Sequence, residues 1–193
     1  MAKLLFISKD DMNNGDGLRV VEWLAGCAHN CEGCQNAWTQ DPERGMDIDD
    51  EQEIPIWEQL KQPYISGLTL SGGDPLYVAN RKYSADIAKR VKERYPNKTV
   101  YLYTGYRMEF KNGEPIFTDH EIDESFSWNG IEYIDVIIDG RFDINTRRGD
   151  IEAGTLVRWR GSSNQRVIDV KETLAQKRIV VRMYRDDDTW VLV

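Results

Sequence analysis

All three cysteines of this chain fall between positions 27 and 34, in the segment Gly26-Cys27-Ala28-His29-Asn30-Cys31-Glu32-Gly33-Cys34-Gln35-Asn36. The spacing is C-x3-C-x2-C, and an odd, tightly bunched set of this kind is no disulfide framework. Three thiolates on so short a loop converge on one centre only by wrapping around it, which suits a cuboidal iron–sulfur cluster. Soft thiolates select zinc or iron–sulfur. The chain has no fourth cysteine, so a four-iron cluster held here leaves one iron open to a substrate or cofactor, unlike the four-cysteine arrangement usual for electron transfer. The loop alone leaves a second reading, a structural zinc site with His29 completing a Cys3His tetrahedron. His29 lies between two of the cysteines, which makes that chelate unusually tight, and it reads instead as a loop residue beside the centre.

The surroundings of this loop read as α/β. At 193 residues a single domain over 1–193 with a sizeable core is expected. Lys3 to Ser8, Arg19 to Ala25, Ile65 to Leu70, Thr99 to Tyr103 and Tyr133 to Ile138 are short apolar stretches with strand character, and the second runs straight into the cysteines. Glu22 is the polar exception in its strand and is expected to face solvent. Asp41 to Glu53 reads as a solvated acidic loop, and Ile56 to Lys61 as a short helix after Pro55. Ser84 is expected to cap a helix running to about Arg94, with Ile87, Val91 and Tyr95 on one face. Strand, helix and strand joined by short turns imply parallel βαβ units. The tail from Arg178 alternates Ile179, Val181, Trp190 and Leu192 around Arg185-Asp186-Asp187-Asp188, the pattern of a terminal hairpin. Glu109 to Trp128 has mixed polarity and no assigned structure.

Ligands of parallel α/β sheets gather outside the carboxyl ends of the strands. Four distinctive loops fall there, Gly26 to Cys34, Ser71 to Pro75, Thr104 to Tyr106 and Asp139 to Phe142, which implies one shared pocket. In the second loop the glycines permit close backbone approach and the aspartate can accept hydrogen bonds from an ammonium group, although alone it is also an ordinary turn.

Together with C-x3-C-x2-C, Ser71-Gly72-Gly73-Asp74-Pro75-Leu76 resembles the radical S-adenosylmethionine superfamily. Asn14-Gly15-Asp16-Gly17-Leu18-Arg19, Tyr103-Thr104-Gly105-Tyr106, Asp135-Val136-Ile137-Ile138-Asp139-Gly140-Arg141-Phe142 and Arg160-Gly161-Ser162-Ser163-Asn164-Gln165-Arg166 accompany it in order. Over about residues 12 to 169 the set resembles the activating proteins of anaerobic (class III) ribonucleoside-triphosphate reductases. The resemblance implies an incomplete, TIM-like (β/α) barrel with a mostly parallel sheet and a [4Fe-4S] cluster at the carboxyl ends of its strands. Cys27, Cys31 and Cys34 would hold the cluster and, through it, carry the catalysis. Gly33, Cys34 and Gln35 would line the S-adenosyl-L-methionine pocket; Gly72, Gly73 and Asp74 would meet the methionine end; Arg141, Phe142 and Asp143 would meet the adenosyl part.

The same resemblance implies reductive cleavage of S-adenosylmethionine to methionine and a 5′-deoxyadenosyl radical, which takes a hydrogen from a glycine in the large subunit of the reductase. It implies an electron donor such as a flavodoxin or a ferredoxin. Alternatives are another glycyl-radical enzyme or a small heterocycle as the substrate and, outside enzymes, a zinc-stabilised adaptor. Three departures mark this chain: Asp16 where the family usually has proline, a 109–128 segment longer than usual, and residues 170–193 as a C-terminal extension. Ser162 to Gln165 can bind cofactor or simply form a polar turn, and reads here as serving structure or a partner contact.

Composition narrows the partners. Lys and Arg number 25 against 33 Asp and Glu, a formal net charge of −8, which leaves no basic footprint for nucleic acid. The dispersed tryptophans and tyrosines read as core and rim rather than a base-stacking platform. No apolar run reaches the length of a membrane span, and the opening residues lack the pattern of a secretory signal. Reduced cysteines without an export signal lead to the expectation of a cytoplasmic protein.

Overall fold

Short apolar runs bounded by glycine and polar turns build a sheet whose middle is parallel. The computed structural model describes residues 1–147, 158–184 and 189–193. In chain order its elements are β1 (Lys3–Asp11), β2 (Leu18–Leu24), β3 (Met46–Asp47), α1 (Asp50–Leu60), β4 (Ile65–Gly72), α2 (Arg81–Arg94) and β5 (Thr99–Thr104). They continue with β6 (Arg107–Lys111), β7 (Glu114–Asp119), β8 (Glu124–Phe126), β9 (Val136–Asp139), β10 (Arg166–Asp169), α3 (Val170–Gln176), β11 (Arg182–Tyr184) and β12 (Trp190–Leu192).

The large sheet has the order β10-β9-β5-β4-β2-β1-β3. Its four central strands are parallel, with Val20 beside Leu68, Leu68 beside Val100 and Leu102 beside Ile137. The outer strands β1, β3 and β10 join antiparallel. The chain is therefore α/β with a large mixed sheet, parallel at its centre, and the sheet does not close on itself. β1 carries register shifts against β2 between Leu4 and Phe6 and between Ser8 and Asp11.

Alternation along each strand divides the sheet into two faces. Val20, Leu68, Leu70, Val100, Leu102 and Ile137 are fully buried against Ile56 and Leu60 of α1 and Ile87 and Val91 of α2. Each such aliphatic side chain contributes roughly 1.5–3 kcal/mol by leaving water. The other face carries Arg19, Thr69, Tyr101, Val136 and Ile138. Arg19 is wholly buried there. Its Nε donates to Thr69 Oγ1 at 2.7 Å, Nη1 to Thr99 Oγ1 at 2.9 Å, and Nη2 to the Leu68 and Thr99 carbonyls at 2.7 and 2.9 Å. Burial lowers its pKa to about 10, with Tyr101 and Asp16 opposing that shift, so the guanidinium stays charged and ties three strands together.

Several expectations need correction. α1 starts at Asp50, not after Pro55, because Asp49 caps it by accepting from Glu51 N at 2.8 Å and Gln52 N at 3.2 Å. The end of the acidic run is thus a helical first turn, where carboxylates oppose the positive helix terminus. α2 starts at Arg81 after Asn80, and Ser84 lies inside it, buried and donating to the Pro75 carbonyl at 2.8 Å. Glu22 does not face solvent: it is fully buried and receives the Tyr83 hydroxyl at 2.6 Å. The unassigned segment is an antiparallel three-stranded sheet, β6-β7-β8, with Phe117 and Met108 in the core. β11 and β12 do pair antiparallel, as the tail pattern implies, while 185–188 of that pattern lie outside the described residues.

Candidate metal centre

The cysteine loop begins where β2 ends and is pinned at its base by backbone bonds, Gly26 N to the Thr39 carbonyl at 2.9 Å and Cys27 N to the Gln40 carbonyl at 3.1 Å. The neighbouring β4 ends in Gly72 with φ +109°, a conformation that glycine alone adopts freely, and a Cβ there would strike the backbone of Leu24. That close approach lets Gly73 N donate to the Leu24 carbonyl and Asp74 N to the Gly26 carbonyl, both at 2.8 Å. Two adjacent parallel strands thus bring the cysteine loop and the Gly-Gly-Asp turn together at their carboxyl ends.

Between these loops lies a cavity of about 800 Å³, within the usual range for small-molecule sites. Cys27, Cys31, Cys34, Gln35, Gly72, Gly73 and Phe142 all line it. The cysteines are free and half-buried. Burial, then the Asp74 charge, pushes the Cys27 thiol up to about 12, and burial outweighs Arg141 in raising Cys31. Thiols held this high are protonated near neutral pH, and coordination is what converts them to thiolates. Metal loading at this loop therefore releases protons.

His29 is almost wholly buried, with Nδ1 2.6 Å from Asp119 Oδ2 and Nε2 2.7 Å from Asp74 Oδ2. Burial alone would lower its pKa, but the hydrogen bond and charge of Asp74, followed by those of Asp119, raise it. Single ligand atoms of Cys27, His29 and Asp74 lie within 4.8 Å of one another. Yet both imidazole nitrogens already face carboxylates at hydrogen-bond distance, so His29 does not complete a Cys3His zinc set. Three soft thiol donors facing one cavity, without a fourth cysteine in the chain, fit an iron–sulfur cluster with an open iron.

A family model described as a 4Fe-4S single cluster domain matches residues 13–168. Curated relatives carry the name anaerobic ribonucleoside-triphosphate reductase-activating protein. That of Enterobacteria phage T4 is 37% identical over 157 residues, covering 81% of this chain and 87% of the relative. Those of Haemophilus influenzae and Escherichia coli K12 are 36% and 31% identical, each over 80% of this chain and 90% of the relative. The chain belongs to this activating-protein family. The matched span leaves the C-terminal hairpin outside it.

Within this activating-protein chain, four of the cofactor-binding residues expected from sequence, Gly33, Asp74, Arg141 and Asp143, stand apart from the cavity lining. Asp74 is buried, its Oδ2 facing His29 and accepting from Thr104 Oγ1 at 3.0 Å and Gly105 N at 2.9 Å, and its Oδ1 accepting from Leu76 N at 2.7 Å. Arg141 pairs with Asp119 at 2.6 Å and Glu121 at 3.0 Å and donates to the His29 carbonyl. Asp143 caps the turn at Ile144–Thr146 by accepting from Asn145 N at 2.9 Å, and Gly33 packs by Ile144. Gln165 belongs to both groups: it lines the cavity, and it braces its own loop by accepting from Gly161 N and donating to the Gly140 carbonyl, each at 2.8 Å. Sequence reasoning missed Asp119, whose only signal is a carboxylate at the end of a strand in a segment of no recognised pattern.

Proposed function

We propose that this protein generates the glycyl radical of an anaerobic ribonucleoside-triphosphate reductase. The observation that carries the reading is the meeting of all three cysteines with the Gly72-Gly73 turn around one cavity at the carboxyl ends of parallel strands. Cys27, Cys31 and Cys34 hold a [4Fe-4S] cluster. When bound and reduced, that cluster supplies the electron that cleaves S-adenosyl-L-methionine to methionine and a 5′-deoxyadenosyl radical. The radical takes a hydrogen atom from a glycine of the reductase large subunit, leaving 5′-deoxyadenosine and the glycyl radical. Gly72, Gly73, Gln35 and Phe142 shape the cofactor pocket. Gly33, Asp74, Arg141 and Asp143 support it from behind, which refines the direct contacts that the resemblance implies.

The reading treats 1–193 as one unit, with the open parallel core acting as a partial barrel around the cavity. A low-potential donor such as a flavodoxin or ferredoxin delivers the electron, and the reading has the protein work in the cytoplasm, which three unpaired cysteines in one short loop support. No helix among the described residues is long and apolar enough to cross a membrane, and the charge of −8 favours a protein partner over nucleic acid.

The test is anaerobic reconstitution with iron and sulfide, followed by reduction in the presence of S-adenosylmethionine, with and without a class III reductase. We expect 5′-deoxyadenosine in both samples and the electron paramagnetic resonance doublet of a glycyl radical in the second. A fully loaded protein that yields no 5′-deoxyadenosine overturns the enzymatic reading. Cleavage without a radical on the reductase transfers the activity to another substrate.

A further inference from the structure

The cysteine loop is tied to the rest of the protein at its start, Cys27 N to the Gln40 carbonyl at 3.1 Å, and closes a turn on itself at its end, Cys34 N to the Cys31 carbonyl at 3.2 Å. Its middle is held differently. His29 inserts its ring into the protein, edge-on to Tyr106 at 4.5 Å between centroids, and places its two nitrogens against Asp74 and Asp119. Asp119 Oδ2 also accepts from Arg141 Nη1 at 2.6 Å, while Arg141 Nη2 donates to the backbone carbonyl of His29 itself. Both carboxylates are buried, and buried carboxylates at this depth are costly unless each oxygen has a donor.

Asp119 differs from the other members in origin. Asp74 and Arg141 come from loops at the ends of the parallel strands, whereas Asp119 closes β7 of the separate three-stranded sheet. Asp119 Oδ1 accepts from Glu121 N at 2.9 Å, which fixes the carboxylate so that Oδ2 faces both His29 and Arg141. One oxygen thus joins the small sheet to the peptide between the first two cluster cysteines.

We infer that Asp119 is a positioning residue of the metal centre, and that the β6-β7-β8 sheet serves to aim the Cys27–Cys31 stretch through the Asp119–His29–Arg141 clamp. Asp119 itself does not line the cavity, so it acts through His29 and Arg141. Removing its carboxylate leaves His29 Nδ1 and Arg141 Nη1 without their shared acceptor and frees the middle of the loop. The cluster would still assemble on three cysteines, but the open iron would be presented less uniformly to S-adenosylmethionine.

The inference rests on the iron–sulfur reading above, and the experiment separates the two. Asp119→Ala, Asp119→Asn and Ile116→Ala are purified and reconstituted beside the wild type. Ile116 lies on the opposite face of β7 by strand alternation and serves as the control for general damage to that sheet. Iron and sulfide content, the electron paramagnetic resonance spectrum of the reduced cluster with and without S-adenosylmethionine, and KM and kcat for 5′-deoxyadenosine formation are measured. For Asp119→Ala we expect near-normal iron content and a broadened spectrum whose response to S-adenosylmethionine is weakened. We expect its KM to rise about tenfold, with a smaller change in kcat. Asp119→Asn, which keeps an acceptor oxygen, should recover most of the spectrum, and Ile116→Ala should match the wild type in both readouts. A wild-type spectrum and KM in Asp119→Ala, with cleavage intact in the wild type, overturns the inference and spares the functional reading. Equal spectral damage in Ile116→Ala and Asp119→Ala also overturns it, by reducing Asp119 to a folding role. A wild type that binds no iron or cleaves nothing removes the functional reading, and this inference with it.

Discussion

Glu22 sits in β2 beneath the helices, with Oε1 receiving the Tyr83 hydroxyl and Oε2 without a hydrogen-bond partner among the described residues. Burial first, then the nearby Glu53 charge, raises its pKa from 4.5 to about 8, although the Tyr83 hydrogen bond and Arg90 oppose the shift. The sign follows from proton linkage. The folded protein holds this proton more tightly than the unfolded chain, so the stability it contributes is complete below about pH 4.5. It declines as pH rises, and is lost once pH passes about 8. For a shift of this size the loss is bounded at about 5 kcal/mol. Glu22→Gln should remove the decline, so that its urea midpoint gains on the wild type between pH 5 and pH 8.5; parallel profiles of the two proteins would count against the assignment. A lone glutamate in an apolar strand reads from sequence as a solvent-facing position, because its hidden partner, Tyr83, is 61 residues away. The same limit hides Asp119, which meets His29 across 90 residues. The cysteines, by contrast, are legible because their chemistry is written in local spacing.

Gly67 in β4 faces Thr99 in β5 so closely that a Cβ would overlap the Thr99 backbone oxygen. That carbonyl is one of the acceptors of Arg19 Nη2. Gly67→Ala must therefore push the two central strands apart at their amino ends and disturb the Arg19 bonds. We expect a loss of about 3 kcal/mol in urea denaturation, at the upper end of overpacking costs; a change under ~0.5 kcal/mol, ordinary for a surface position, would show that the strands yield. Elements of this kind are readable ahead of structure because central parallel strands, buried on both faces, are continuous apolar runs. α1 is harder to read. Pro55 looks like a first-turn proline, but the helix passes through it, and what starts the helix is the Asp49 side chain. The β6-β7-β8 sheet is harder still. Its burial is uneven, with Phe117, Thr118 and Asp119 consecutive and all buried: its side chains still alternate, but both faces are covered where the strand meets the core and the metal centre at once, so no alternating apolar pattern marks it in sequence.

At the scale of the molecule, Asp16 and the C-terminal hairpin prove to be one arrangement. Asp16 accepts the hydroxyls of Tyr101 at 2.7 Å and Tyr184 at 2.8 Å and the indole N–H of Trp159 at 3.0 Å. Tyr184 belongs to β11 in the C-terminal extension, whose Arg182 also pairs with Asp169 at 2.7 Å, and Trp159 lines the cavity. Asp16 thus fastens the tail to the sheet and to the cavity wall. Asp16→Ala should cost about 1–3 kcal/mol from the lost hydrogen bonds and open the tail to trypsin near Lys177 and Arg178, with Asp16→Asn intermediate; unchanged trypsin resistance would detach the tail from Asp16. The outer edge of the sheet has a different consequence. Among the described residues β3 pairs only with Lys3 and Leu4 of β1, and beyond it β1 is broken by its two register shifts and by Asp10 at φ +53°. Lys9 and Asp10 are exposed there, and Phe6 is stacked between Trp23 and Trp38. A kinked, charged margin of this kind is a poor template for another strand. Strand addition at this margin is therefore disfavoured by the edge's own shape and charge, with no second layer needed to cover it.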